Sequence, residues 1–212
     1  MSNDIENVKK WDKYFFDICN VVATNSKCFS RKIGSILVKD KTIIGSGYNG
    51  PPRGIPQCDE RWHGDKYLQK KAIESGLLNH VVKSYNSSED FIINEWVFID
   101  GYKSLPNEIK GKCPRQLLKA KSGEMLDICY ACHSERNTLI NSARLGIKTK
   151  GCKLYMNCGI PCFDCYKEIL QGGIKEIIVT SMDVYDEQVH YLIDNSDLKI
   201  RLFSHLDEEI GY

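Results

Sequence analysis

The stretch CHSERNTLINSARLG, residues 132–146, places a histidine and a glutamate two positions apart at the head of a helical run that stops at a glycine. The run predicts a helix over about 133–145, ended near Gly146 by the residue type that leaves a helix most easily. Beyond Gly146 strands and helices alternate. CKLYM (152–156) reads as a strand, and a second helix starts at Cys162 and stops at Gly172-Gly173. Then come the strand KEIIVT, a helix around 186–194 and a last strand, LKIRLF. Upstream, IGSILVKDKTIIGSGY (33–48) holds two β-rich runs joined by polar Lys39-Asp40-Lys41, a hairpin. A hairpin followed by strand–helix alternation predicts an α/β fold, a mixed sheet with helices on both faces.

The outer parts of the chain fit around this frame. Val8, Trp11, Phe15, Ile18 and Val22 recur at helical spacing, so residues 5–24 read as an amphipathic helix with all five in the core. Cys19 sits on the same apolar side and is expected to be core as well. NGPPRGIP (49–56) is too rich in Gly and Pro to be anything but a loop. Residues 60–112 are less orderly, with a helix expected at YLQKKAIESGLL and a strand at FIINEWVFID. We read this stretch as an insertion before the His-x-Glu helix, within one domain spanning residues 1–212.

Composition excludes several classes of function. The 212 residues are 42% hydrophobic and 27% charged, ordinary values for a globular protein. The net charge of +1, with both signs interspersed, offers no footprint for a nucleic acid, though a few local cations suffice for one small phosphate. No apolar run approaches the ~20 residues that span a bilayer, and MSNDIENVKK lacks a signal-peptide core. A cytoplasmic setting with no membrane partner is therefore expected. In that reducing compartment, ten cysteines point to metal rather than to disulfides.

The metal reading centres on two motifs. PCFDC (161–165) sets Cys162 and Cys165 at the start of a helix, where free amides and the positive dipole end favour thiolates. With His133 they make three ligands, the number a catalytic zinc takes when it keeps one position for water. Glu135 then has a use that a closed site would not give it. A carboxylate beside an activated water can accept its proton and pass it to a leaving group. His-x-Glu followed by Pro-Cys-x-x-Cys is the signature of zinc-dependent nucleobase deaminases. A four-cysteine structural zinc, pairing Cys129 and Cys132 with Cys162 and Cys165, is the alternative. It would make the chain a binding module and leave Glu135 without a role.

Beyond the two motifs, CFSRKIGSILVKDKTIIGSGYNGPPRG and CHSERNTLINSARLG with PCFDC resemble the deoxycytidylate (dCMP) deaminases of bacteria and phages. The likeness covers about residues 10–60 and 113–203, and GYNGPPRG discriminates within the superfamily. It implies a cytidine-deaminase-like three-layer α/β/α fold on a mixed five-stranded sheet, with zinc between two helix N-termini. It implies hydrolysis of dCMP to dUMP and ammonia, feeding thymidylate synthesis. Glu135 would shuttle the proton while zinc-activated water attacks cytosine C4. By position, Asn49 would contact the sugar or base, Tyr185 would stand near the nucleotide, and Arg31 is a candidate for the phosphate. Asn137 could bind substrate, a regulator or its own helix. Ser134 stands where the family usually has Ala, and its hydroxyl could add a hydrogen bond beside the metal. The resemblance also implies a homo-oligomer, commonly a hexamer, with dCTP and dTTP as effectors that could bring Mg2+; some relatives deaminate dCTP as well.

The same resemblance suggests a second metal. Cys28, Cys58, Cys113 and Cys129 fall where related chains carry cysteines, and in some relatives the first two positions hold a structural zinc. A closed four-thiolate zinc is expected there, tying the insertion to the core. His63 could replace one of the four. Cys132, Cys152 and Cys158 have no assigned partner.

Overall fold

Alternation with a period of two runs through the central strands and decides which helix each face of the sheet meets. The computed structural model describes residues 2–77, 109–121 and 123–204, with backbone alone for residues 2–5 and 63. The strand expected at FIINEWVFID and the His63 side chain lie outside the described residues. The chain divides into two compact units. One is Met1–Ser26, Lys32–Gly50 and Cys132–Tyr212; the other is Lys27–Arg31 and Pro51–Ala131. The second unit is broader than the 60–112 stretch read as an insertion.

In the first unit, helix α1 (Ser2–Ala23) precedes strands β1 (Gly34–Lys39) and β2 (Thr42–Tyr48). Further along lie β3 (Lys153–Met156), β4 (Glu176–Val179) and β5 (Lys199–Leu202). The sheet order is β2-β1-β3-β4-β5, with β1 antiparallel to both β2 and β3 and the last two pairs parallel. Asp40 and Lys41 form the hairpin turn, both at positive φ, as a two-residue turn with the right twist requires.

Ile36, Val38, Tyr155 and Ile178 face one way and bury Phe15 and Cys19 of α1 together with Phe203. Leu37, Leu154, Met156, Ile177 and Val179 face the other way, against Tyr166 and Ile169. Those two residues belong to a helix at Phe163–Gln171. A further helix, Ser134–Arg144, lies on this second face, where Thr138 Oγ1 and Ser35 Oγ are 2.6 Å apart. Of the five apolar positions expected in the core from α1, Phe15 is buried and Trp11, Ile18 and Val22 are half-buried. Val8 is 47% exposed, because it borders an open cavity instead of the sheet.

The second unit is built on short elements: a 3-10 turn at Glu60–His63, α2 (Lys66–Glu74), α3 (Pro114–Leu117) and a 3-10 turn at Leu126–Ile128. α2 starts where Asp65 accepts from the Leu68 amide, the hydrogen bond of an acidic N-cap. Trp62, Leu68, Ala72, Ile109 and Ile128 form its core. Polar ties complete it. Buried Asp59 accepts from the Glu60 and Gly111 amides. Buried Arg61 donates to Asp65 and to the Ile128 carbonyl at 2.8 Å and lies over the Tyr130 ring.

We designate Ser134–Arg144 α4, Phe163–Gln171 α5 and Val189–Asp194 α6. α4 lies against β2 at Gly47. A Cβ there would meet the Thr138 amide nitrogen at 2.4 Å and the Ser134 carbonyl at 2.7 Å. Gly47→Ala is therefore expected to destabilise the protein by about 1–3 kcal/mol through overpacking, read as a lower urea midpoint. An unchanged midpoint would show that α4 can move off β2 without loss.

Candidate metal centre

Two helix starts carry the chemistry. His133 is the N-cap residue of α4 and Cys162 that of α5, each with extended backbone and neither capping its own helix through its side chain. Their side chains are left for one another. His133 Nδ1 is 3.4 Å from Cys162 Sγ and 3.3 Å from Cys165 Sγ. Among the described residues, these three form the group whose ligand atoms all lie within 4.8 Å of one another. One imidazole nitrogen and two thiols at helix N-termini match zinc with a fourth position open, so the donor set fits the metal.

Electrostatics in the trio follow from proximity. A hydrogen bond from Cys165, with help from His133, holds the Cys162 thiol well below the usual range. Cys165 is pushed up by its hydrogen bond to Cys162 and by burial. The hydrogen bond with Cys162 and the charge of Glu135 raise His133 against the effect of burial.

Glu135 is buried in the first turn of the same helix, with Oε1 3.8 Å from His133 Nδ1. Ser134 Oγ donates to Glu135 Oε2 at 2.8 Å, which is the hydrogen bond its hydroxyl could add. One carboxylate oxygen is held and the other is turned toward the trio. Tyr185 also reaches the centre. It is 43% exposed, and Cys162 is among the groups that act on its hydroxyl. Burial and the Cys162 sulfur push its phenol up.

The other expected site residues are placed differently. Asn49 is buried, and its Oδ1 accepts from the Ile33 amide at 2.8 Å and from Ser26 Oγ at 2.7 Å. Asn137 donates to the Tyr48 carbonyl at 2.7 Å, tying α4 to the end of β2. Arg31 is exposed and belongs to the second unit. Cys28, Cys58, Cys113 and Cys129 all belong to the second unit too. There the Cys58 thiol is pushed up to about 12 by burial first, with Cys28, Cys129 and Cys113 adding to it and Arg61 opposing. All ten cysteines are free thiols.

Three supports of the centre were not legible in the sequence. Asp186 Oδ2 accepts from the Phe163 amide at 2.9 Å and so caps α5 from a distant loop. The helix expected around 186–194 is observed at Val189–Asp194. Cys132 joins Gly50 in a β-bridge through two backbone hydrogen bonds, fixing the residue before His133. Arg136 grips Glu168 with two hydrogen-bonding contacts of 2.9 Å, linking α4 to α5. Only the Asp of DVYDE carried a local signal, an acid beside Tyr185, and it reads equally well as a helix start.

A family profile for the cytidine and deoxycytidylate deaminase zinc-binding region matches residues 9–181. The chain is 44% identical over 173 residues to the deoxycytidylate deaminase of Mycobacterium phage D29, covering 79% of this chain and 92% of that one. It is 24% identical over 193 residues to the deoxycytidylate deaminase of Schizosaccharomyces pombe, covering 91% of this chain. It spans 44% of that relative and 46% of the Saccharomyces cerevisiae one, less than half of each. The crystal structure of dCMP deaminase from cyanophage S-TIM5 in apo form shares the fold, with a TM-score of 0.51 at 16% identity over 90% of this chain and 95% of that one.

Asp186→Ala removes the acceptor for the Phe163 amide and loosens the turn that presents Cys162. Zinc affinity is expected to fall about tenfold, the lower end of the effect of losing a residue that orients a metal ligand. Competition against a chromophoric chelator measures it, and unchanged affinity would show that the α5 start is held without Asp186.

Proposed function

The chain belongs to the cytidine and deoxycytidylate deaminase zinc-binding family, and on that premise we propose that it hydrolyses dCMP to dUMP with release of ammonia, supplying dUMP for thymidylate synthesis. The observation that carries this reading is Glu135, a buried carboxylate 3.8 Å from His133 Nδ1 and outside the three-ligand set. A purely structural zinc has no use for it. When bound by His133, Cys162 and Cys165, zinc supplies Lewis acidity that lowers the pKa of a water to about 7. Glu135 accepts a proton from the water and gives it to N3 of the cytosine ring, then accepts the second proton, from the hydroxyl added at C4, and gives it to the departing amine. Ser134 keeps Oε2 occupied, so the shuttle works through the oxygen facing the metal ligands.

Tyr185, beside Cys162, is the residue we assign to the wall against the nucleotide. Asn137 holds the end of β2 against the start of α4, Asn49 ties the residue after β2 to the segment between α1 and β1, and we assign the contact with sugar or base to Asn49 and the loop that follows it. The family likeness supports a cytoplasmic enzyme that acts as a homo-oligomer, a hexamer, with dCTP and dTTP as effectors accompanied by Mg2+. Among the described residues no helix is long and apolar enough to cross a membrane.

Glu135→Gln should retain zinc and lose turnover of dCMP by on the order of 10²–10⁴-fold, the usual share of a general acid–base group. Turnover unaltered in this variant would refute the mechanism. A panel of deoxycytidine, CMP, dCMP and dCTP, each with and without dCTP or dTTP as effector, tests the substrate. Turnover of deoxycytidine without dCMP would overturn the nucleotide reading, and reaction only with single-stranded DNA or RNA would replace it.

We further propose that Cys28, Cys58, Cys113 and Cys129 hold a second, structural zinc. The Cys58 thiol is pushed up by burial and by Cys28, Cys129 and Cys113, all four cysteines belong to the same unit, and four thiolates are the donor set of a closed structural zinc. Purified native protein should contain two zinc ions per chain by elemental analysis. One per chain would sink the second site.

A further inference from the structure

Besides the metal centre, the first unit contains a cavity of about 380 Å³ on the α1 face of the sheet. Its floor is apolar. Phe15, Val38 and Tyr155 are buried beneath it, and Trp11 and exposed Val8 stand at its side. Phe15 stacks on the Trp11 ring, whose centroid lies 5.3 Å from the Lys41 ammonium.

The lining is lopsided in charge. Five cations face the cavity against two carboxylates. Two of the cations are already committed. Arg201 pairs with buried Asp12 and with Glu176, and Lys153 pairs with Glu176. Lys39, Lys41 and Lys175 are exposed and form no salt bridge among the described residues, so the rim carries a surplus of positive charge. An occupant that fits has to bring several negative charges together with apolar side chains.

The chain returns to this cavity after β5. Phe203 packs against Phe16 and Tyr155. Ser204 then donates to Asp12 Oδ2 twice, from its amide at 2.9 Å and from its hydroxyl at 2.8 Å. Asp12 lines the cavity, so the residues that follow Ser204 set out from the cavity wall. Their sequence is His205-Leu206-Asp207-Glu208-Glu209-Ile210-Gly211-Tyr212, outside the described residues. Three consecutive carboxylates stand between Leu206 and Ile210, which is the combination that the rim and the floor call for. Asp207 comes three residues after Ser204, a reach of up to roughly 10 Å. A segment tethered this close has an effective concentration on the order of millimolar at the cavity, so contacts too weak to hold a free peptide can hold it.

We propose that residues 205–212 of the same chain fold back over this cavity, with Asp207, Glu208 and Glu209 against Lys39, Lys41 and Lys175 and with Leu206 and Ile210 toward Val8 and Trp11. The segment straps α1 to the β1–β2 hairpin and covers Val8, which the sheet leaves exposed. This role needs neither zinc nor the proposed reaction.

The test treats the zinc-loaded full chain with a water-soluble carbodiimide, which joins a lysine to a carboxylate only where the two touch. Amide links from Asp207, Glu208 or Glu209 to Lys39, Lys41 or Lys175 are expected in peptides cut from the monomer band of a denaturing gel. The Lys153–Glu176 pair, already in contact, reports that the reagent works. A second measurement labels the three tryptophans with 15N and identifies the Trp11 indole signal by its loss in Trp11→Phe. The triple variant Asp207→Asn, Glu208→Gln, Glu209→Gln should move the Trp11 signal to where it stands in a chain shortened to end at Ser204, leaving the other two signals in place. Three results would overturn the proposal. One is a Lys153–Glu176 link with none from the three acids to the three lysines. Another is such links in the dimer band alone, which would assign the acids to the cavity of a second copy. The third is a Trp11 signal that neither the triple variant nor the shortening moves.

Discussion

The first turn of α4 lies so close to β2 that Gly47 has no room for a side chain beside the Thr138 amide and the Ser134 carbonyl. That approach sets where the helix begins, and the helix start is where His133 and Glu135 are. A helix seated further from the sheet would carry both residues outward together. Thr138 and Asn137 reinforce the seat, the first through Ser35 and the second through the Tyr48 carbonyl. Just before the helix, the Cys132–Gly50 bridge pins the incoming chain.

A second helix start must meet the first one. α5 brings Cys162 and Cys165 with its own orphan amides, and Asp186 occupies the Phe163 amide so that this turn cannot fray. Arg136 and Glu168 hold the two helices together on their outer side. Such a half-exposed pair contributes little to stability by itself, but its two-pronged geometry limits rotation of one helix against the other. The centre is therefore held from the strand side by packing and from the helix side by directed polar contacts.

The second unit works with a different balance. Among the described residues, Trp62, Leu68, Ala72, Ile109 and Ile128 form its buried apolar cluster. Arg61 and Asp59 add to it by binding backbone groups from distant segments. Burying such groups is tolerable only because each is fully partnered. The second zinc proposed for Cys28, Cys58, Cys113 and Cys129 would close this unit with metal instead of apolar volume.

Much of this could be read along the chain. The helix from about 133 to 145 is Ser134–Arg144, the helix from Cys162 to the glycine pair is Phe163–Gln171, and the hairpin turns at Asp40-Lys41. Capping, glycine stops and apolar alternation are local, so sequence alone determined them. It also pointed to the metal chemistry, because His133, Glu135 and the Cys162–Cys165 pair sit in two short motifs that together match one signature. Only tertiary structure decided what supports them. Asp186 caps a helix 23 residues before it, and Asn137 binds a carbonyl 89 residues before it. Val8 lost its place in the core to a cavity, and Asn49 spends its side-chain oxygen on Ser26 and the Ile33 amide, in the segment between α1 and β1. Those outcomes depend on which distant backbone groups folding leaves unpaired, and no local pattern of residue types encodes that.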